Sequence, residues 1–254
     1  MVVLHIPHAS TVFPDDERAR LTLNDAELDA ELLVMTDWFT DELFALSDAH
    51  VETVRFPVSR LVLDPERFLD DQSERMAQRG MGVVYERTSH GQVLRSALSS
   101  TERQLLIDTY YSPHHERLER AVAAELAQSD AALVIDCHSF SSEPLPHEFD
   151  QEPLRPDVCI GTDDFHTPTV LVEVIEEFAR AHGWSTQVDR PFAGALVPMS
   201  YYRMDARVHA VMIEVNRSLY MNETTGRRLA AFAAVASHLQ DLVRLVMDRD
   251  HGKA

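Results

Sequence analysis

Apolar positions along the chain fall into two periods, one of strands and one of helices. Residues 2–6 form a short β-rich run closed by Pro7, which predicts a strand feeding a loop. From Asn24 or Asp25 the stripe Leu28, Leu32, Met35, Phe39, Leu43 and Leu46 predicts one helix to about residue 47. Strand-like runs follow at 51–56 and 61–63. The polar, glycine-containing stretch 64–95 reads as an extended loop, and loops that long in compact domains are usually functional. Ser99 and Glu102 make a capping box for a helix to about residue 127. Residues 133–137 and 158–160 read as buried strands. Thr167-Pro168 starts a helix to about His182, with Gly183 as its stop. A strand at 208–215 and a helix from Thr224 to about Met247 close the pattern. Strands alternating with helices predict a layered α/β fold with a mostly parallel sheet.

Composition narrows this further. The 254 residues suffice for one large domain or two small ones, and 45% hydrophobic residues support a full core, so one compact domain, 1–254, is expected. A formal net charge of -19 argues against nucleic acid and anionic membrane as partners. It also makes the arginines informative, because an anionic substrate would need some of them gathered against the overall field. Cys137 and Cys159 lie inside apolar runs, which fits a reducing cytoplasm rather than a disulfide framework. The amino terminus lacks a basic n-region, and no stretch approaches the ~20 apolar residues of a membrane span. A cytosolic protein is expected.

Three predicted strands end in residues that bind metals or move protons: His5 and His8, Asp136 and His138, and Glu214 with Arg217. In open α/β sheets ligands bind at the carboxyl ends of strands. His138 follows a core strand and shares a face with Asp136. That suits a ligand oriented by a carboxylate, and it suits equally a hydrogen-bonded structural histidine. His8, in a turn stiffened by Pro7, is favoured as a ligand over His5, which lies within the strand pattern. Asp37 falls opposite the main helical stripe, beside Leu33 and Phe44. A helix covered on two faces would bury it and demand a cation, whereas a solvent-facing acidic surface including Asp41 fits the pattern slightly better. Glu214 suits a general base. Each arginine alone reads as a surface salt bridge, although its fork also suits a carboxylate. No phosphate-binding glycine loop and no G-x-S-x-G elbow occurs, and Cys137 is buried in its strand, so metal-assisted hydrolysis remains by elimination.

Seven segments in order resemble the N-formylglutamate amidohydrolase family: His5-Ile6-Pro7-His8-Ala9-Ser10, Thr36-Asp37 with Asp41, and Val58-Ser59-Arg60 leading to Asp64-Pro65-Glu66-Arg67. They continue with Tyr111-Ser112-Pro113-His114-His115, Asp136-Cys137-His138-Ser139-Phe140, Arg190-Pro191-Phe192-Ala193-Gly194 and Glu214-Val215-Asn216-Arg217-Ser218-Leu219-Tyr220. The resemblance implies a three-layer α/β/α fold of the phosphorylase/hydrolase-like, zinc-exopeptidase-like kind, with a mostly parallel or mixed sheet. It implies hydrolysis of N-formyl-L-glutamate, a small anionic substrate, to glutamate and formate, the end of one route of histidine breakdown. By position it implies Zn2+, or Co2+ or Mn2+, on His8, Asp37 and His138. Glu214 becomes the general base, His115 an assistant to the oxyanion or substrate, and Arg60, Arg67, Asn216 and Arg217 substrate contacts. The chain departs from the family pattern at Glu66, often Asn, and at Ala195, often Gly. Both departures bear on which acyl group and amino acid are accepted. Another N-acyl amino acid, or a non-catalytic binding role on the same fold, are the rival readings.

Overall fold

A computed structural model describes residues 2–47, 50–250 and 252. The helices, in chain order, are α1 (Asp15–Arg18), α2 (Asp25–Met35), α3 (Thr40–Leu43), α4 (Ser100–Leu106), α5 (Ser112–Leu126), α6 (Thr169–Ala181) and α7 (Phe232–Asp250). The central sheet comprises β1 (Val2–Ile6), β2 (Val51–Arg55), β3 (Ala132–Phe140), β4 (Val158–Gly161), β5 (Thr186–Val188) and β6 (Val208–Asn216), in the order β2-β1-β3-β6-β4-β5. β2, β1, β3 and β6 run parallel. β4 pairs antiparallel with β6 and carries β5 with it, so the sheet is mixed.

Side-chain alternation splits the strands between two cores. Val2, Leu4, Ile6, Leu133, Ile135, Cys137, Val211, Ile213 and Val215 face the layer containing α3, α6 and α7. Val3, Val54, Ala132, Val134, Val208 and Ala210 face α5 through Leu118 and Val122. Helices therefore cover both faces, the layered α/β fold expected from the alternation of elements, in the three-layer form that the family resemblance implied. No helix among the described residues is long and apolar enough to cross a membrane.

Three expectations are corrected. The helix predicted to residue 47 stops at Met35, because tertiary bonds take its backbone: Asp37 N–H donates to His8 O (3.0 Å) and Arg217 to Val34 O (2.5 Å). Phe39, at φ 66, then redirects the chain into the single turn of α3. Residues 61–63 are fully buried but form a turn, with Val62 N–H donating to Ser59 O (2.8 Å); their apolarity marks a core, not a strand. The last helix begins at Phe232, because β7 (Met221–Asn222) and β8 (Arg227–Arg228) fold 221–228 into a hairpin whose turn uses Gly226 at φ 71. The three-residue edge strand β5 was not predicted, being too short and half-exposed to show a period. The capping box at Ser99 and Glu102 is present, and a π-helical turn at Ile107–Tyr111 joins α4 to α5.

Leu239 on α7 is fully buried in the larger core. Leu239→Ala is expected to lower unfolding free energy by about 2–5 kcal/mol, measured by urea denaturation.

Candidate active site

On the α5 face, the apolar rows of β1, β3 and β6 give way to ionisable residues toward the strand ends. Beyond Val3 comes His5, beyond Val134 come Asp136 and His138, and beyond Ala210 comes Glu214. Register sets His5 opposite Asp136 and His138 opposite Glu214. His138 thus lies inside β3 rather than just past it. The loop after β1 adds His8, and the break between α2 and α3 adds Asp37, fixed by the Asp37 N–H to His8 O bond.

His8, Asp37 and His138 are buried and bring three ligand atoms within metal-binding range of one another. His138 Nδ1 is 3.0 Å and His8 Nδ1 3.5 Å from Asp37 Oδ2. The far nitrogens are held by carboxylates: His8 Nε2 lies 2.9 Å from Asp64 Oδ1, and His138 Nε2 lies 3.0 Å from Asp136 Oδ1. A carboxylate behind each imidazole orients the ring and raises its basicity toward a cation. His8 Nδ1 is buried with no hydrogen-bond partner, an acceptor aimed at Asp37 that a cation between them would satisfy. The donor set, two imidazoles and a carboxylate, suits a catalytic divalent ion. Burial alone would raise Asp37, but the hydrogen bond from His138 and the adjacent His8 ring hold it well below the usual carboxylate range. Burial would lower His138, yet Glu66 and Asp136 push it well above the usual histidine range.

Arginines stitch the surrounding loops together. Arg217 donates to Asp37 Oδ1 (3.2 Å) and to Ser139 O (3.1 Å), so its fork is spent on orienting Asp37. Asp64 is fully buried and takes Arg60 (2.8 Å) and the Tyr85 hydroxyl, with Arg67 at 3.7 Å. Arg67 keeps its buried Nε–H unpartnered. Arg60, Arg67, Arg217, Glu66 and Glu214 line a cleft of ≈ 550 Å³ with the histidines, a size typical of small-molecule sites. Gly161 lets the lining residue Gly194 approach the sheet, since a Cβ there would meet the Gly194 carbonyl at 2.1 Å. Glu214 is buried with Oε2 unpartnered. Burial pushes its carboxyl up to about 8; His138 opposes this, and Asp37, Glu66 and Asp136 add to it.

Other expected residues sit elsewhere. His115 Nε2 lies 2.8 Å from Pro65 O and its ring packs on Tyr111, so it props the 64–67 loop from behind rather than lining the cleft. Asn216 caps Ser218 N–H (3.1 Å) and donates to Pro156 O (3.1 Å), also outside the cleft lining. Asp41 is paired with Arg55 at 3.0 Å and is remote from Asp37 in role. His5, left open as a ligand, bonds Asp136 Oδ1 (2.8 Å) and His114 Nε2 (2.8 Å). Asp64 and Tyr85 were missed. Asp64 stood in a quoted motif, but nothing in its local pattern marked it as buried.

A sequence model of N-formylglutamate amidohydrolase matches residues 1–221. The chain is 29% identical over 229 residues to an N-formylglutamate deformylase of Pseudomonas putida, covering 88% of this chain and 82% of that one. It is 28% identical over 231 residues to an N-formylglutamate deformylase of Pseudomonas aeruginosa, covering 87% and 82%. In structure it is similar to an N-formylglutamate amidohydrolase from Ralstonia eutropha JMP134, with a TM-score of 0.85, 23% identity, and 99% and 94% of the two chains covered. At that identity the likeness is one of fold.

Removing Arg217 strands Asp37 in a buried position. Arg217→Met is expected to destabilise the metal-free protein by about 3–5 kcal/mol in chemical denaturation.

Proposed function

The chain belongs to the N-formylglutamate amidohydrolase family and is an amidohydrolase; from that premise we propose that it hydrolyses N-formyl-L-glutamate to glutamate and formate, with zinc held by His8, Asp37 and His138. The observation that carries this reading is the buried Glu214, whose unpartnered oxygen lines the cleft one strand away from His138. A divalent ion on these three residues supplies Lewis-acid polarisation and a more acidic water. Every other part of the reaction is assigned to side chains.

Glu214 takes a proton from the attacking water as the water adds to the formyl carbon, and then delivers it to the leaving amine nitrogen. A carboxyl raised to about 8 by burial exchanges protons near neutrality, which suits both halves of that task. Asp64 and Asp136 hold the His8 and His138 rings, and Arg217 holds Asp37, so the three ligand atoms meet without rearrangement. Arg60 and Arg67 offer guanidinium N–H groups to the glutamate carboxylates. Arg67 is the better placed, because its Nε–H is unspent. His115 and Asn216 contribute by positioning loops rather than by touching substrate.

Glu66 favours a second reading. Its carboxylate enters the cleft beside Arg67, where it opposes a substrate anion at that point and favours a different N-acyl amino acid. A panel of formyl, acetyl and longer acyl derivatives of glutamate, aspartate and neutral amino acids separates the two by kcat/KM.

Glu214→Gln is expected to retain bound zinc and to lower kcat by about 10²–10⁴-fold, the usual contribution of a positioned base. His138→Ala is expected to lose the metal itself. Metal analysis alongside N-formylglutamate hydrolysis checks both, and wild-type turnover in Glu214→Gln would falsify the base assignment.

A further inference from the structure

We propose that the chain holds a second divalent-cation site behind the first, formed by His5 Nδ1, Glu66 Oε1, Asp136 Oδ1 and His138 Nε2. His5 Nδ1 is 2.8 Å from Asp136 Oδ1 and 3.6 Å from Glu66 Oε1. His138 Nε2 is 3.0 Å from Asp136 Oδ1 and 3.2 Å from Glu66 Oε1. Nitrogen and oxygen ligands set tetrahedrally around zinc at ~2.0–2.2 Å stand about 3.3–3.6 Å from one another. Shifts of about half an ångström or less bring these four contacts to that spacing. His5, Glu66 and Asp136 already satisfy the mutual spacing of a metal-binding group.

Hydrogen bonding alone serves the cluster poorly. Two carboxylate oxygens converge on His138 Nε2, which has at most one proton to share. That shared contact is the one hydrogen bond Glu66's carboxylate takes among the described residues. The next ring nitrogens, His5 Nδ1 and His8 Nε2, each stand 3.6 Å from a Glu66 oxygen and are directed instead at Asp136 at 2.8 Å and Asp64 at 2.9 Å. A largely buried carboxylate such as Glu66, set beside the buried Asp136 with a single shared donor, is a favourable place for a cation.

The orientation of His5 agrees. Its ring is fully buried, and its Nε2 is taken by His114 Nε2 at 2.8 Å. With Nε2 so engaged, Nδ1 is left directed at Asp136 Oδ1 at 2.8 Å, on the side where Glu66 Oε1 also stands. The mixed nitrogen and oxygen donors select a borderline divalent ion such as zinc or cobalt. An ion here replaces the Nε2 proton of His138, so the ring links the two sites through its opposite nitrogens.

The test is a zinc titration of the full chain after chelation, with metal analysis following gel filtration and circular dichroism to verify folding. The wild type is expected to take two equivalents, the second more weakly. Glu66→Gln and His5→Gln are expected to retain one. Because His5 is fully buried and its replacement could unfold the chain, the partly exposed Glu66 gives the decisive variant. Saturation of the wild type at one equivalent overturns the proposal, as does a second equivalent surviving in Glu66→Gln. Hydrolysis of N-formylglutamate is followed in parallel. Its absence from zinc-loaded wild type counts against the reaction proposed above and leaves the stoichiometry to decide the second site.

Discussion

The burial of one carboxylate, Asp37, organises the loops around the cleft. An isolated ionised group in the protein interior is strongly disfavoured and persists only where partners surround it. Asp37 receives His138 and Arg217 on its oxygens, and its own N–H reaches the His8 carbonyl. Those three partners come from β3, from the turn after β6 and from the loop after β1. Meeting them ends α2 at Met35 and forces Phe39 into a left-handed conformation. Local helix propensity loses to a set of long-range polar bonds.

The sheet supplies the platform on which that set is built. A parallel trio of strands carries side chains in register, so residues of like parity on β1, β3 and β6 form one surface. On the α7 side that surface is apolar between its polar ends, His209 and Ser139, and it anchors the fold. On the α5 side it is apolar only as far as Val134 and Ala210, and then becomes His5, Asp136, His138 and Glu214. Packing therefore rigidifies the strand ends from behind while the front face carries the chemistry. This division explains how four ionisable groups remain buried on strands that are hydrophobic elsewhere.

Much of this was legible in the residues. Alternation alone puts Asp136 and His138 on one face, and the strand-ending clusters point to one end of the sheet. The burial of Asp37 was approached by the wrong route. The helical wheel supposed a continuous helix, whereas the side chain is buried because the helix stops. No periodic rule announces such a stop, since it depends on Arg217, 180 positions away. The arginines were the least legible. Type and position showed that Arg60, Arg67 and Arg217 could each bind an anion, but not that Arg217 is spent on Asp37 and Arg60 largely on Asp64. Ion pairing is a three-dimensional allocation, and sequence spacing does not encode it. The edge strand β5 and the hairpin of β7 and β8 escaped for a simpler reason, being too short to display a period.

Charge balance ties the cleft to the ions and to the ligand. Asp37, Asp64, Glu66, Asp136 and Glu214 gather around Arg60, Arg67 and Arg217, so with neutral histidines and a Glu214 that exchanges its proton near neutrality the site is left with between one and two negative charges in excess. One divalent ion on the proposed His8, Asp37 and His138 site would offset that excess. A second, on the proposed His5 and Glu66 side, would create a positive excess that the protein does not match. A dicarboxylate ligand would match it. The second ion would therefore be the weaker in the free protein, and it would gain affinity when an anionic ligand occupied the cleft. Reciprocally, it would raise the affinity for that ligand, because coupling between two binding events acts equally in both directions. Glu66, which alone would repel an anion from Arg67, then becomes the residue through which an ion recruits one.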